Sequence, residues 1–285
     1  MDSQLIRDND VVPMGEPDIS PPENKKKKII IIVSVVGAIV LIIVITLTLV
    51  FTIGKKNQNQ NQNQDKVDLG PLVYNSTSGN HTHTLIFMPG YSNQPEDFEN
   101  VLKNKIKFSK KNDTTIIVLR SPLVNITFNH GKNYAWYDIY GIPLRNLSDI
   151  NFEDLKKSAK VLEKTIENEV KLLNGSYENI IVGGHSQGAS ITLYQAYTWE
   201  KKLGGVFAFS GFLPPGNVSE DKNTLNAYMG YGDADNIIEP AFINKSIERI
   251  KNFDGFHLHI YKNHLHHVCT NQTKDVSKFL ETIIK

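Results

Sequence analysis

Serine, aspartate and histidine occur in this chain in an order and in local settings that suit acyl transfer. The segment Gly184-His185-Ser186-Gln187-Gly188 follows an apolar run at 179–183 and leads into a helix-forming stretch at 189–202. A serine between a strand and a helix in this pattern reads as a nucleophile elbow, a sharp turn that exposes the hydroxyl. Gly184 and Gly188 suit it because strand and helix must approach closely there. The helix N-terminus behind Ser186 offers backbone N–H groups and a positive dipole end where an oxyanion would form. Serine is a weak nucleophile at neutral pH, so an imidazole must take its proton and later return it to the leaving group. Two further segments supply the missing types. Asp235 lies in Gly230-Tyr231-Gly232-Asp233-Ala234-Asp235, and His266 in Asn263-His264-Leu265-His266-His267. A carboxylate beside the imidazole would hold its tautomer and stabilise its cationic form.

The elements that must position these groups are readable as alternating runs. Short apolar, β-branched or aromatic segments at 84–88, 114–119, 179–182, 206–209, 227–229 and 257–261 predict strands. Their near-continuous apolar character suits strands covered on both faces of a parallel sheet. Helices are expected at 152–173, 189–202, 242–252 and 274–285. In the first, Leu155, Ala159, Leu162, Ile166, Val170 and Leu173 recur every three or four residues as one buried stripe. Strands alternating with helices predict an α/β layered domain. Ser186, Asp235 and His266 each follow a predicted strand, and the carboxyl ends of such strands are where active groups collect.

From about Thr84 onward the chain resembles the acyl-protein thioesterase and lysophospholipase group of small carboxylesterases, members of the α/β-hydrolases. The resemblance is carried by Gly183-Gly184-His185-Ser186-Gln187-Gly188-Ala189, Trp136-Tyr137-Asp138, Phe209-Ser210-Gly211-Phe212-Leu213-Pro214, Tyr231-Gly232-Asp233-Ala234-Asp235 and the run from Tyr261 to Cys269. The order Ser, Asp, His is also that of α/β-hydrolases. The resemblance implies an α/β-hydrolase fold, a mostly parallel sheet with helices on both faces. It makes Asp235 rather than Asp233 the triad acid, puts the base on His266 and makes Cys269 a structural thiol. It places the oxyanion donors on the backbone N–H groups of Tyr91 and Gln187. It also implies ester or thioester hydrolysis, with S-acylated proteins or lysophospholipids as substrates. The family's Leu-His-Gly-x-Gly turn is here Met88-Pro89-Gly90-Tyr91-Ser92, which puts the shape of that loop in doubt. Pro89 lacks only its own N–H, so neither donor is lost.

Other features have competing readings. Trp136 and Leu213 could line an acyl pocket, although Trp136 and Tyr137 could equally form a core aromatic cluster. Asp138 could hold a loop, and Asp233 could shape its turn. The histidines at 257, 259, 264, 266 and 267 invite a metal site, but no paired ligand spacing typical of zinc is present. No metal or organic cofactor is expected. With 31 basic and 30 acidic residues, nothing points to nucleic acid.

The first quarter is different material. Residues 1–28 read as a proline-containing cytosolic tail ending in the basic block 25–28, and 29–53 is an uncharged apolar run of 25 residues. Such a run is long enough to span a bilayer, so one transmembrane helix is expected to precede the hydrolase domain. Residues 54–66 form an Asn/Gln-rich linker, and the folded domain is expected over 67–285. The four lysines before the run favour a cytosolic N-terminus. Nine glycosylation sequons, beginning at Asn75, all follow the run. Together these predict a single-pass type II membrane glycoprotein with a lumenal or extracellular catalytic domain. That placement sits awkwardly with S-acylated protein substrates, which are largely cytosolic, and would favour lysophospholipids or general carboxylic esters. The alternative is an inactive hydrolase scaffold tethered to the membrane as a binding module.

Overall fold

A computed structural model describes residues 69–285, which form one compact unit, Leu69–Lys285. The tail, the expected span and the linker all lie outside the described residues. Among the described residues no helix is long and apolar enough to cross a membrane.

The centre is a seven-stranded sheet. In chain order its strands are β1 (Leu72–Tyr74), β2 (His83–Met88), β3 (Thr114–Val118), β6 (Ile180–His185), β7 (Gly205–Phe209), β8 (Ala227–Gly232) and β9 (Phe256–Tyr261). They lie side by side as β1-β3-β2-β6-β7-β8-β9. Only β1 runs antiparallel to its neighbour, and every other pairing is parallel. A small hairpin, β4 (Leu123–Ile126) with β5 (Gly131–Tyr134), stands apart from this sheet. The helices are α1 (Phe152–Leu172), α2 (Gln187–Thr198), α3 (Pro240–Ile247) and α4 (Thr270–Ile283). This is the α/β-hydrolase fold.

The pleat of β2 divides the core. Ile86 and Met88 face one cluster with Leu155, Leu162 and Ile166 of α1, Ile191 of α2 and Ile243 of α3. Leu85 and Phe87 face the other, with Phe98, Leu102 and the Val276, Phe279 and Leu280 stripe of α4. Alternation with period two sends successive side chains to opposite faces, so a continuous apolar strand needs cover on both. α1 forms where its stripe predicts, with the Asn151 side chain capping the N–H of Asp154 at 3.2 Å. β9 departs from the expected pattern. Phe256 and Tyr261 are buried, but the four residues between them are exposed. Its place at the sheet edge explains this, since β8 flanks it on one side only.

Three helices differ in their bounds from the sequence reading, and α3 spans Pro240–Ile247 rather than 242–252. α2 starts at Gln187, directly after the elbow serine, and ends at Thr198 rather than 202. α4 starts four residues early because Cys269 caps it. The Gln272 N–H donates to Cys269 Sγ at 3.5 Å, and the Gln272 side-chain Oε1 accepts from the Cys269 N–H at 2.8 Å. The thiol thus does the work of the usual hydroxyl in a capping box.

Candidate active site

β6 ends at His185 and α2 begins at Gln187, so Ser186 alone makes the turn. It takes φ +56°, a left-handed conformation that side chains rarely adopt. The crowding behind it is severe. A Cβ on Gly184 would lie 2.4 Å from the Gly188 carbonyl carbon, and one on Gly188 would lie 2.0 Å from the Met88 oxygen. The Ser186 N–H is tied to Phe209 O at 2.9 Å, which anchors the turn to β7. Strain concentrated at one residue and over-determined by its surroundings is the pattern found at functional turns.

Asp235 follows β8 and His266 follows β9. The parallel register therefore brings both to the edge where Ser186 stands. His266 Nε2 is 2.8 Å from Ser186 Oγ, and its Nδ1 is 2.8 Å from Asp235 Oδ2 and 3.0 Å from Oδ1. Asp235 is fixed before it meets the ring. Its side chain is fully buried, and Oδ1 also accepts from the N–H groups of Ile237 and Ile238, each at 2.9 Å. Asp233 is exposed and accepts from the Asn263 N–H at 2.6 Å, holding the turn between β8 and the histidine loop.

The 88–92 turn lies against the elbow. A Cβ on Gly90 would come within 3.1 Å of Ser186 Cβ and 2.9 Å of His185 Nδ1. Tyr91 is pinned through its hydroxyl, which accepts from Asn129 Nδ2 at 2.8 Å and Asn133 Nδ2 at 2.9 Å in the hairpin. Ser92 stands where the resembled family has its second glycine, and it keeps the left-handed backbone at φ +64°. Its N–H donates to Tyr134 O at 2.8 Å.

Trp136 and Leu213 are 3% and 2% exposed and belong to the main core cluster. The indole of Trp136 donates to Pro89 O at 2.8 Å, and its backbone N–H donates to Gln187 Oε1 at 2.9 Å. Gln187 Nε2 in turn donates to Tyr137 O at 2.9 Å. Both ends of the Gln187 amide are thus spent on the Trp136-Tyr137 backbone, and the indole holds the glycine turn. Sequence reasoning placed the backbone of Gln187 at the site but missed this clamp, for which no spacing signal exists. It also missed His185, whose Nε2 lies 2.9 Å from the His266 carbonyl oxygen. Asp138 accepts from the N–H and hydroxyl of Thr127 at 2.7 and 2.6 Å, holding a loop. Among the described residues no group of three or more His, Cys, Asp or Glu side chains could hold a metal ion. His259 stacks on Tyr261 and faces Asp275 at 3.5 Å, and His264 Nε2 lies 2.6 Å from the His267 carbonyl oxygen.

A strained serine after the central strand, a histidine beside its hydroxyl and a buried carboxylate behind the ring define a serine hydrolase of the α/β-hydrolase class. Comparison with known proteins narrows the class. The phospholipase/carboxylesterase family model matches residues 71–284, and the chain belongs to that family. It is similar to acyl-protein thioesterase 1 of Mycosarcoma maydis, 28% identical over 236 residues that cover 76% of this chain and 98% of the relative. Acyl-protein thioesterase 1 of Kluyveromyces lactis is 31% identical, over 60% of this chain and 79% of its own. In fold it is similar to the crystal structure of Arabidopsis thaliana SOBER1, with a TM-score of 0.64 at 19% identity over 71% of this chain and 99% of that one.

These findings correct the expected localisation. The curated relatives are named acyl-protein thioesterases, and among the described residues no helix is long and apolar enough to cross a membrane, so the single-pass type II placement does not stand. The single-pass type II topology is withdrawn, and neither the membrane partner nor the glycosylation inferred with it has support among the described residues or the relatives. Residues 29–53, on which that reading rested, lie outside the described residues.

Proposed function

We propose that the domain hydrolyses carboxylic ester or thioester bonds of acyl substrates through Ser186, His266 and Asp235. The observation that carries this reading is the unbroken chain of contacts from Ser186 Oγ to His266 Nε2 at 2.8 Å and from Nδ1 to Asp235 at 2.8 Å. Ser186 Oγ attacks the acyl carbon as its proton passes to His266 Nε2. The resulting oxyanion accepts from the N–H groups of Tyr91 and Gln187. His266 then protonates the departing thiol or alcohol, leaving the acyl group on Ser186. Water, deprotonated by His266, attacks that ester and releases the carboxylic acid. Throughout, Asp235 accepts from Nδ1–H and stabilises the imidazolium.

S-acylated proteins are the favoured substrates, because the curated relatives bear the name acyl-protein thioesterase. Lysophospholipids are the second class to test. Purified chain and its Ser186→Ala variant are incubated with a fluorophosphonate probe, an S-palmitoyl peptide and a lysophosphatidylcholine. The reading expects labelling and thioester turnover in the parent and neither in the variant. Undiminished turnover by the variant would sink it. Labelling without turnover of any acyl substrate would favour the inactive scaffold instead, for which no feature of the site speaks.

A further inference from the structure

We infer that His185, the residue before the nucleophile, is a positioning residue that ties the main chain of His266 to the nucleophile strand. The inference rests on the Ser186, His266 and Asp235 reading above. His185 closes β6, and its ring packs against those of Phe98 and His266, with centroids 5.6 and 5.1 Å away. Its Nε2 is 2.9 Å from the His266 carbonyl oxygen. A carbonyl can only accept, so Nε2 carries the proton. Burial, reinforced by the nearby His266, pushes the imidazole down to about 4, which keeps the ring neutral at ordinary pH. Nδ1 must then be a bare acceptor, and it is buried without a hydrogen-bond partner.

Two explanations of the residue ask different things of the ring. If His185 served only to fill space beside Phe98, a phenylalanine would serve as well. What the imidazole adds over an apolar ring is the bond from Nε2–H to His266. The geometry shows where that bond is needed. His266 sits on the connection between β9 and α4, flanked by exposed Leu265 and His267. Its ring has to reach Ser186 on one side and Asp235 on the other. Asp235 fixes the ring, whereas His185 fixes the backbone behind it. Because His185 and Ser186 are adjacent, one rigid two-residue unit grips both the ring and the main chain of the same histidine. The separation of nucleophile and base is thereby set over a short closed circuit instead of through an exposed loop. The uncharged state also matters, since a second cation 5 Å away would oppose the imidazolium formed during attack.

The test uses the full chain with His185→Phe, His185→Gln and, as a second apolar replacement should phenylalanine not fit, His185→Met. A glutamine amide nitrogen reaches about where Nε2 stands. Thermal unfolding, and kcat and KM for p-nitrophenyl octanoate, are measured beside Ser186→Ala. The apolar variants are expected to melt no lower than the parent and to keep KM within about twofold. Their kcat should fall roughly 10–100-fold, the scale of an ångström of misplacement at a reacting group. Glutamine should recover most of that loss. An apolar variant with parental kcat would overturn the inference, as would glutamine failing as badly as phenylalanine. If Ser186→Ala is dead while His185→Phe is fully active, only the inference falls. Hydrolysis by Ser186→Ala would remove the triad reading and the inference with it.

Discussion

Replacing Trp136 with phenylalanine separates two jobs that the residue could do. As a wall of an acyl pocket, it would contact substrate. As a clamp, it would hold the turn that precedes Tyr91. The indole is 3% exposed and donates to Pro89 O at 2.8 Å, which favours the clamp. Phenylalanine keeps most of the apolar surface but removes the donor. Pro89 O then loses a buried partner, at about 1–3 kcal/mol. The smaller ring leaves a void that costs about 1 kcal/mol more at roughly 24 cal/mol per Å³. A domain of this size loses about 2–4 °C per kcal/mol, so Tm should drop by roughly 5–10 °C.

The kinetic effect follows from the neighbour. Loss of a complete oxyanion donor costs about 10²–10³ in kcat, and a displaced Tyr91 N–H forfeits part of that. A fall in kcat of about tenfold is expected, with KM nearly unchanged because the substrate never touched the indole. The assay is a series of p-nitrophenyl esters from butyrate to dodecanoate, run beside thermal melts. A pocket residue would behave differently, raising KM more for longer chains while leaving kcat alone. That outcome, or a Tm equal to the parent's, would refute the clamp.

Ser92→Gly should be neutral to mildly stabilising. It relieves a left-handed side-chain-bearing residue worth about 1–2 kcal/mol and returns about 0.4–1 kcal/mol through the looser unfolded chain. A clear loss in denaturant melts would show that the φ of +64° is not strained. Asp235→Asn should cut kcat by about 10³–10⁴, whereas Asp233→Asn should change it only a few-fold, and steady-state rates in the reverse order would reassign the acid. Stability should also fall with acid through His185. Its folded pKa of about 4 lies below the unfolded value, so the unfolded chain binds more protons between about pH 6.5 and 4. Folding is favoured above that window and weakened as pH falls through it, by about 2 kcal/mol between pH 7 and pH 5. Urea melts of His185→Phe should lack that portion of the slope, and an unchanged slope would show that the ring is not held neutral.

The positions of Ser186, Asp235 and His266 were readable because a single rule governs them. Each follows an apolar run, and in a parallel sheet all such ends lie on one edge. The stripe of α1 was readable for a similar reason, since Leu155 through Val170 repeat at helical spacing. What escaped depends on neighbours that are distant in sequence. The run at 257–261 is apolar enough for a covered strand, yet sheet order leaves it at an edge with Leu258 and Ile260 exposed. The hairpin strands Leu-Val-Asn-Ile and Gly-Lys-Asn-Tyr show no clean alternation, because β4 and β5 pair only with each other rather than with the buried sheet.

The 88–92 turn shows how far a local departure can be read. Proline for histidine and serine for glycine look like losses when judged by pattern alone. In the fold, Pro89 contributes its carbonyl, which every residue has, and the Trp136 indole takes it. The second change is less free. Ser92 still takes φ +64°, so the backbone path that a glycine would follow without strain is kept by tertiary bonds instead. Its N–H is held by Tyr134, and the neighbouring Tyr91 by Asn129 and Asn133. All of these partners lie in or beside the β4–β5 hairpin, more than thirty residues away in sequence. A hairpin with no apolar periodicity is therefore what holds the 88–92 turn in shape, and its bonds carry work that glycine would do locally.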